Sequence, residues 1–224
     1  NSYMCTEFPD VLMIAEESTA WENVTRFDGD GLGFNMKWNM GWMNDALSYA
    51  ETDPLFRKGN HNKVTFSMMY AFAERYVLPI SHDEVVHGKK SLLDRFPGLY
   101  GQKFDGMRAF LIYMFCHPGK KLLFMGGEFG QFIEWNFDDS LDWHLPEQYD
   151  MHTKMLRYSK ALNKFYVDHK EFWQVDFDWE GFEWLDCNNA NDSLISFIRK
   201  DDKGNFVIAI CNFTPEVRRG ARFG

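Results

Sequence analysis

The stretch Tyr76-Val77-Leu78-Pro79-Ile80-Ser81-His82-Asp83-Glu84 decides the fold. An unbroken apolar run ends abruptly in four polar residues. A short continuous run of this kind fits a strand buried on both faces, as in a parallel sheet. Two other segments are built alike. Val11-Leu12-Met13-Ile14-Ala15 runs into Glu16-Glu17-Ser18-Thr19, and Lys121-Leu122-Leu123-Phe124-Met125 runs into Gly126-Gly127-Glu128. A fainter strand lies in Leu32-Gly33-Phe34-Asn35-Met36-Lys37.

Helical spacing fills the gaps. Val64, Met68, Met69 and Phe72 predict a helix over 62–73; Phe104, Met107, Phe110, Leu111 and Met114 predict one over 103–116. Met155, Leu156, Leu162 and Phe165 predict a third over 151–169. Strands alternating with helices make βα units around a parallel sheet. The polar residues fall just after the strands, which in a (β/α) barrel is the C-terminal rim where active sites are built. Beyond about Glu171 the texture changes. Phe182–Leu185, Leu194–Ile198 and Phe206–Ile210 read as short strands, and Asp202-Lys203-Gly204-Asn205 as the hairpin turn between the last two. The expected fold class is α/β: βα units around a parallel sheet, followed by the start of a separate antiparallel β domain.

Composition narrows the partners. The chain has 224 residues, 45% apolar and 25% charged, with a formal net charge of −9. That charge disfavours nucleic acid and anionic membranes as partners and leaves a neutral polymer open. Aromatics reach 17%, including 22 Phe and 8 Trp, enough for a large core with rings left over to stack on sugar faces. Cys5, Cys116, Cys187 and Cys211 stand far apart with no metal-site spacing, so they read as reduced thiols of a cytoplasmic protein. No run of about 18 apolar residues predicts a membrane span. The opening Asn1-Ser2-Tyr3 carries neither an initiator Met nor a signal sequence, as expected of a fragment.

Two acidic pairs close apolar strands, Glu16-Glu17 and Asp83-Glu84. Glycoside chemistry needs carboxyl groups on either side of the bond to be broken, one protonated to meet the leaving oxygen and one ionised. Strand alternation sends Glu16 and Glu17 to opposite faces, and His82 and Asp83 likewise unless the strand has already turned. The residues alone leave the choice within each pair open.

The segments MIAEEST (13–19), GLGFNMKWNMGWMNDAL (31–47), SHDEVVHGKKSLLDR (81–95) and LLFMGGEFGQ (122–131) resemble bacterial glycogen branching enzymes of the α-amylase clan. EWN at 134–136, SLDW at 140–143 and NFTPEVRRGARFG at 212–224 extend the resemblance over nearly the whole chain. Glu22 and Phe27 stand where that pattern has Pro, and Asn44 where it has His; these departures touch a loop and none of the carboxylates. The resemblance implies a retaining transglycosylase that cuts an α-1,4-glucan and passes it to a 6-hydroxyl, as in glycogen biosynthesis. It implies that Glu16 is the general acid/base, which needs a proton at neutral pH, with Glu17 the candidate neighbour to raise its pKa. Asp83 would stabilise the distorted sugar ring and His82 would hydrogen-bond the same sugar. Glu17, His87, Trp38, Trp42 and Trp135 are further candidates for substrate contact. No metal or organic cofactor is implied, and the parent is expected to be a monomer or weak oligomer. The family's nucleophilic Asp, in a segment of the type RVDAV, has no counterpart here, so the resemblance implies the C-terminal half of a (β/α)8 barrel over 1–170, starting before the fifth strand, then the beginning of an all-β sandwich domain over 171–224, and a chain inactive alone. Two rival readings remain: an amylase-like hydrolase of the same clan, and a non-catalytic glucan-binding relative.

Overall fold

The computed structural model describes residues 1–223. In chain order the elements are α1 (Ser2–Glu7), β1 (Ile14–Ala15), β2 (Met36–Trp38), α2 (Met40–Glu51), β3 (Tyr76–Ile80), α3 (Tyr100–Cys116), β4 (Lys120–Leu123), α4 (His144–Gln148), α5 (Asp150–Asp168), β5 (Phe182–Asp186), β6 (Leu194–Lys200) and β7 (Phe206–Asn212). β1 to β4 form one parallel sheet in chain order, and β5 to β7 a separate antiparallel sheet, also in chain order.

β3 matches its apolar run, Tyr76 to Ile80, whereas β1 and β4 are shorter than theirs. Of Val11 to Ala15 only Ile14 and Ala15 pair, because β1 has a neighbour on one side alone. Val11, Leu12 and Ile14 are correspondingly exposed, at 46%, 62% and 41%. The faint strand expected over 32–37 is confined to Met36–Trp38.

The helix expected over 62–73 is absent. Residues Pro54–Val64 and Phe66–Met69 form 3₁₀ turns instead, and Met69 and Phe66 face solvent. The run Gly59-Asn60-His61-Asn62 is poor in helix formers, which favours tight turns over a regular helix. The α-helix between β2 and β3 comes earlier, as α2. The Asn39 side chain caps it by accepting from Trp42 N, and Trp42, Met43, Ala46, Leu47, Tyr49 and Ala50 make its buried stripe. α3 buries Phe104, Met107, Phe110, Leu111 and Met114 as its spacing predicts. α5 buries Met155 and Leu162 as its spacing predicts, together with His152 and Ser159, whereas Phe165 is exposed and Leu156 only half-buried.

One continuous core runs from α2 and α3 through Leu78 and Ile80 of β3 to Ile195, Phe197, Ala209 and Cys211 of the antiparallel sheet. An ion cluster joins the two sheets. Arg199 of β6, wholly buried, donates to Cys116 O at 2.8 Å and to Asp176 Oδ1 at 2.9 Å, and Asp176 also meets Lys120 Nζ at 3.0 Å and Gly119 N at 3.0 Å. Burial pushes the Asp176 carboxyl up, but Lys121, Arg199 and Lys120 around it outweigh burial and hold it below the usual carboxylate range. All four cysteines are unpaired.

Candidate active site at the C-terminal edge of the parallel sheet

Strand register decides which acidic residue faces where. Ala15 pairs with Lys37, and Lys37 with Tyr76, so these three share one face. Continuing along β3 and across to β4, that face carries Leu78, Ile80 and Leu123, which pack on the helices. Alternation places Glu17 on it as well. The contact agrees: Lys37 Nζ meets Glu17 Oε2 at 2.8 Å. The opposite face bears Ile14, Met36, Trp38, Val77 and Pro79, and one step beyond β1 it bears Glu16. Glu16 is exposed, and no protein group among the described residues hydrogen-bonds its carboxylate.

Both Glu17 oxygens hold protein partners, Lys37 on one and Thr19 N on the other at 2.8 Å. The hydrogen bond from Lys37, then those from Thr19, hold its pKa down at about 2. Glu17 is thus a fixed anion with its own counter-ion.

Two strands along, the residues after β3 form a tight capped turn. Glu84 is buried and accepts from Ser81 N at 2.7 Å and Ser81 Oγ at 2.8 Å, while Ser81 Oγ accepts from Asp83 N at 3.2 Å. This is the reciprocal capping arrangement that S-x-x-E spacing encodes. Arg95 donates to Glu84 O and pairs with Glu51, which ties the turn to α2. The chain has therefore turned before His82 and Asp83, and both side chains emerge on the solvent side, with His82 Nε2 at 3.4 Å from Asp83 Oδ1. The His82 ring stands edge-on to Trp135 at 5.8 Å and lies 6.1 Å from Phe124. Trp135 is brought there by its backbone N–H, which donates to Val85 O at 2.8 Å.

His87 projects fully into solvent, with Nδ1 3.3 Å from Glu134 Oε2. Glu134 also accepts from Lys90 N at 2.7 Å and Gly88 N at 3.0 Å, and those bonds, Lys90 first, keep its carboxyl below the ordinary range. Lys90, whose N–H this carboxylate accepts, has a φ of 68°, uncommon for a non-glycine residue. Trp38 ends β2, between the strands of the two carboxylates, half-buried. Trp42 is wholly buried among Phe110, Tyr113 and His117, so it is a core residue and offers no face to a sugar. Gly126 adopts a φ of 90°, and a Cβ there would lie 2.9 Å from Gln131, so it marks a turn packed by the protein itself.

The edge of the parallel sheet therefore gathers Glu16, Trp38, His82, Asp83 and Trp135. Sequence reasoning missed Lys37, Glu84 and Glu134 as supports of this edge. A lone lysine inside an apolar strand, and the S-x-x-E spacing at Ser81, were the available signals.

Solved structures with this fold are α-glucan enzymes. A type I pullulanase from Bacillus subtilis superposes with a TM-score of 0.68 over 96% of this chain and 35% of its own, at 15% identity. A cyclomaltodextrinase does so with a TM-score of 0.62 over 93% of this chain and 33% of its own, also at 15% identity. Residues 184–224 match the family described as alpha amylase, C-terminal all-beta domain. The fold is thus part of a (β/α)8 barrel of the α-amylase type followed by strands of the all-β domain. Within that class the likeness narrows. Across its whole length the chain is 57% identical to the 1,4-alpha-glucan branching enzyme GlgB of Halothermothrix orenii, covering 36% of that protein. It is 55% identical to the enzyme of the same name from Aquifex aeolicus, again covering 36%. The chain is a homologue of bacterial 1,4-α-glucan branching enzymes and spans about a third of the length of these relatives.

Proposed function

We propose that this chain serves as part of a 1,4-α-glucan branching enzyme, a retaining transglycosylase acting on glycogen or amylose in the cytoplasm. The observation that carries this reading is the presentation of Glu16 and Asp83 at one edge of the parallel sheet, within segments shared with the branching enzymes. Residues 1–170 are assigned to the catalytic barrel and 171–224 to the β domain, a division supported by the end of α5 at Asp168 and the start of the antiparallel strands at Phe182.

In this reading a nucleophilic carboxylate lying outside these 224 residues attacks the anomeric carbon of an α-1,4-glucan. Glu16 donates its proton to the departing 4-oxygen, and a covalent glycosyl-enzyme forms. Glu16, now ionised, takes the proton of an acceptor 6-hydroxyl as that oxygen displaces the enzyme carboxylate, leaving an α-1,6 branch. Asp83 stabilises the oxocarbenium-like ring, and His82 donates to a hydroxyl of the same sugar. Trp38 and Trp135 supply apolar faces for glucose rings, and His87 meets the chain further along. The unpaired outer edge of β1 supports a preceding strand supplied by the complete protein.

The test is to incubate the complete protein with amylose and count chain ends released by a debranching enzyme against free reducing ends. Branching yields the former with few of the latter. A plain hydrolase yields reducing ends without branches, and a glucan-binding relative yields neither.

A further inference from the structure

Lys37 is an oddity of the sheet: a lysine in the middle of a strand, 5% exposed. A buried ammonium is costly unless its donors are satisfied. Here its hydrogen bonds go to Glu17 Oε2 at 2.8 Å, Thr19 O at 3.2 Å and Trp21 O at 3.4 Å. All three acceptors follow Glu16 within five residues. They belong to the long irregular connection between β1 and β2, which has no helix to fix it. A second anchor lies further along the same connection, where buried Glu74 accepts from Val24 N at 2.7 Å and Thr25 N at 2.8 Å. Glu16 has no such bond of its own. Its direction depends on the backbone to either side: Ala15, fixed by β-pairing, and Glu17, fixed through its side chain.

We infer that Lys37 is a positioning residue for the reaction: by tying Glu17, Thr19 and Trp21 to β2 it sets the backbone from which Glu16 reaches the scissile bond. The inference rests on the assignment of Glu16 as acid/base. It assigns Glu17 to the support of Glu16, as the link through which Lys37 acts.

The experiment uses the complete enzyme with amylose and compares Lys37→Met, Lys37→Arg, Glu17→Gln, Lys37→Met/Glu17→Gln and Glu16→Gln, with a thermal melt of each. Misplacement by a fraction of an ångström predicts a fall of about tenfold in kcat for Lys37→Met with KM within about twofold. Lys37→Arg restores part of that loss. Because the two residues act as one unit, the double variant is no slower than the worse single one. Lys37→Met with unchanged kcat beside an inactive Glu16→Gln overturns the inference alone, as does a rise in KM at constant kcat or a multiplicative double variant. Full turnover by Glu16→Gln instead overturns the acid/base reading itself. Should Lys37→Met fail to fold, Glu17→Gln, altered at the partly solvated end of the same link, carries the test, and an unchanged kcat there overturns the inference.

Discussion

Replacing Glu16 by Gln in the complete enzyme is expected to remove nearly all branching, and replacing Glu17 by Gln to remove far less. The two side chains are adjacent in sequence and nearly identical in chemistry, so the contrast isolates their surroundings. Glu16 lies on the sheet face shared with Trp38 and Val77, free of protein partners. Gln there keeps the shape and loses the transferable proton. General acid/base assistance is worth roughly 10²–10⁴-fold, so kcat is expected to fall by about that factor. Glu17 faces Lys37 on the other side. Gln retains an oxygen able to accept from Thr19 N or from Lys37, so the link is weakened without being abolished, and a measurable loss of about threefold to tenfold is expected. The assay is the release of branches by a debranching enzyme after timed incubation with amylose, with thermal melts to confirm that both variants are folded. A Glu17→Gln variant more damaged than Glu16→Gln would refute the facial argument, since it would place the working carboxylate on the side where the ion pair lies.

Asp83→Asn is expected to depress kcat more than it raises KM, because a carboxylate acting on the distorted ring contributes mainly in the transition state; steady-state kinetics on amylose would show the reverse if Asp83 served binding alone. Asp176→Ala in the complete enzyme is expected to cost about 3–5 kcal/mol in denaturant unfolding, as it strands a wholly buried Arg199; a loss below about 1 kcal/mol would contradict the cluster's role in joining the sheets. Because the Asp176 pKa is depressed by folding, its contribution is complete above the unfolded carboxylate range and fades as pH falls through the lower folded value. The 224-residue chain alone is expected to lack branching activity and to melt without a cooperative transition, since Val11, Leu12 and Ile14 expose apolar surface whose burial is worth about 25 cal/mol per Å². Size-exclusion chromatography and calorimetry test this, and a monodisperse, cooperatively melting chain that makes α-1,6 branches unaided would contradict it.

What the sequence disclosed and what it withheld follow from the range of the forces involved. Tyr76 to Ile80 was legible as a buried strand because burial on both faces demands apolar residues at every position. The site edge was legible because polar residues stop such a run abruptly. The helix after β2 was not, since its apolar residues, Trp42, Met43, Ala46 and Leu47, follow directly on an apolar strand, and the boundary is set by the Asn39 cap alone. The false helix over 62–73 had apolar spacing, but Asn62, Thr65, Phe66, Ser67, Tyr70 and Phe72 are weak helix formers, and local turns prevailed. In α5 Met155 and Leu162 are buried as expected, but His152 takes a place in the core that the spacing did not give it, because its ring is held by Phe129 O at 3.0 Å and packs edge-on against Phe104. Polar residues satisfied by tertiary partners are invisible to a count of hydrophobic spacing.

The choice between Glu16 and Glu17 shows the same limit at the site itself. Alternation guarantees that adjacent residues part company, but it names no face. The face is named by pairing register, a relation between residues about 20 apart, and here by one lysine whose position opposite Ala15 draws Glu17 to its side. A slip of β1 by one residue would bring Glu16 onto the face of Lys37 and leave Glu17 free; the Ala15–Lys37 register excludes that slip, and in this register turning Glu17 away would leave Lys37 buried with no carboxylate in reach. Burying an unpaired ammonium costs several kcal/mol, whereas leaving Glu16 in solvent costs little. The energetic preference for pairing the buried lysine is therefore what turns the other carboxylate toward the open edge, and a structural ion pair on one side of β1 determines which acid stands available on the other.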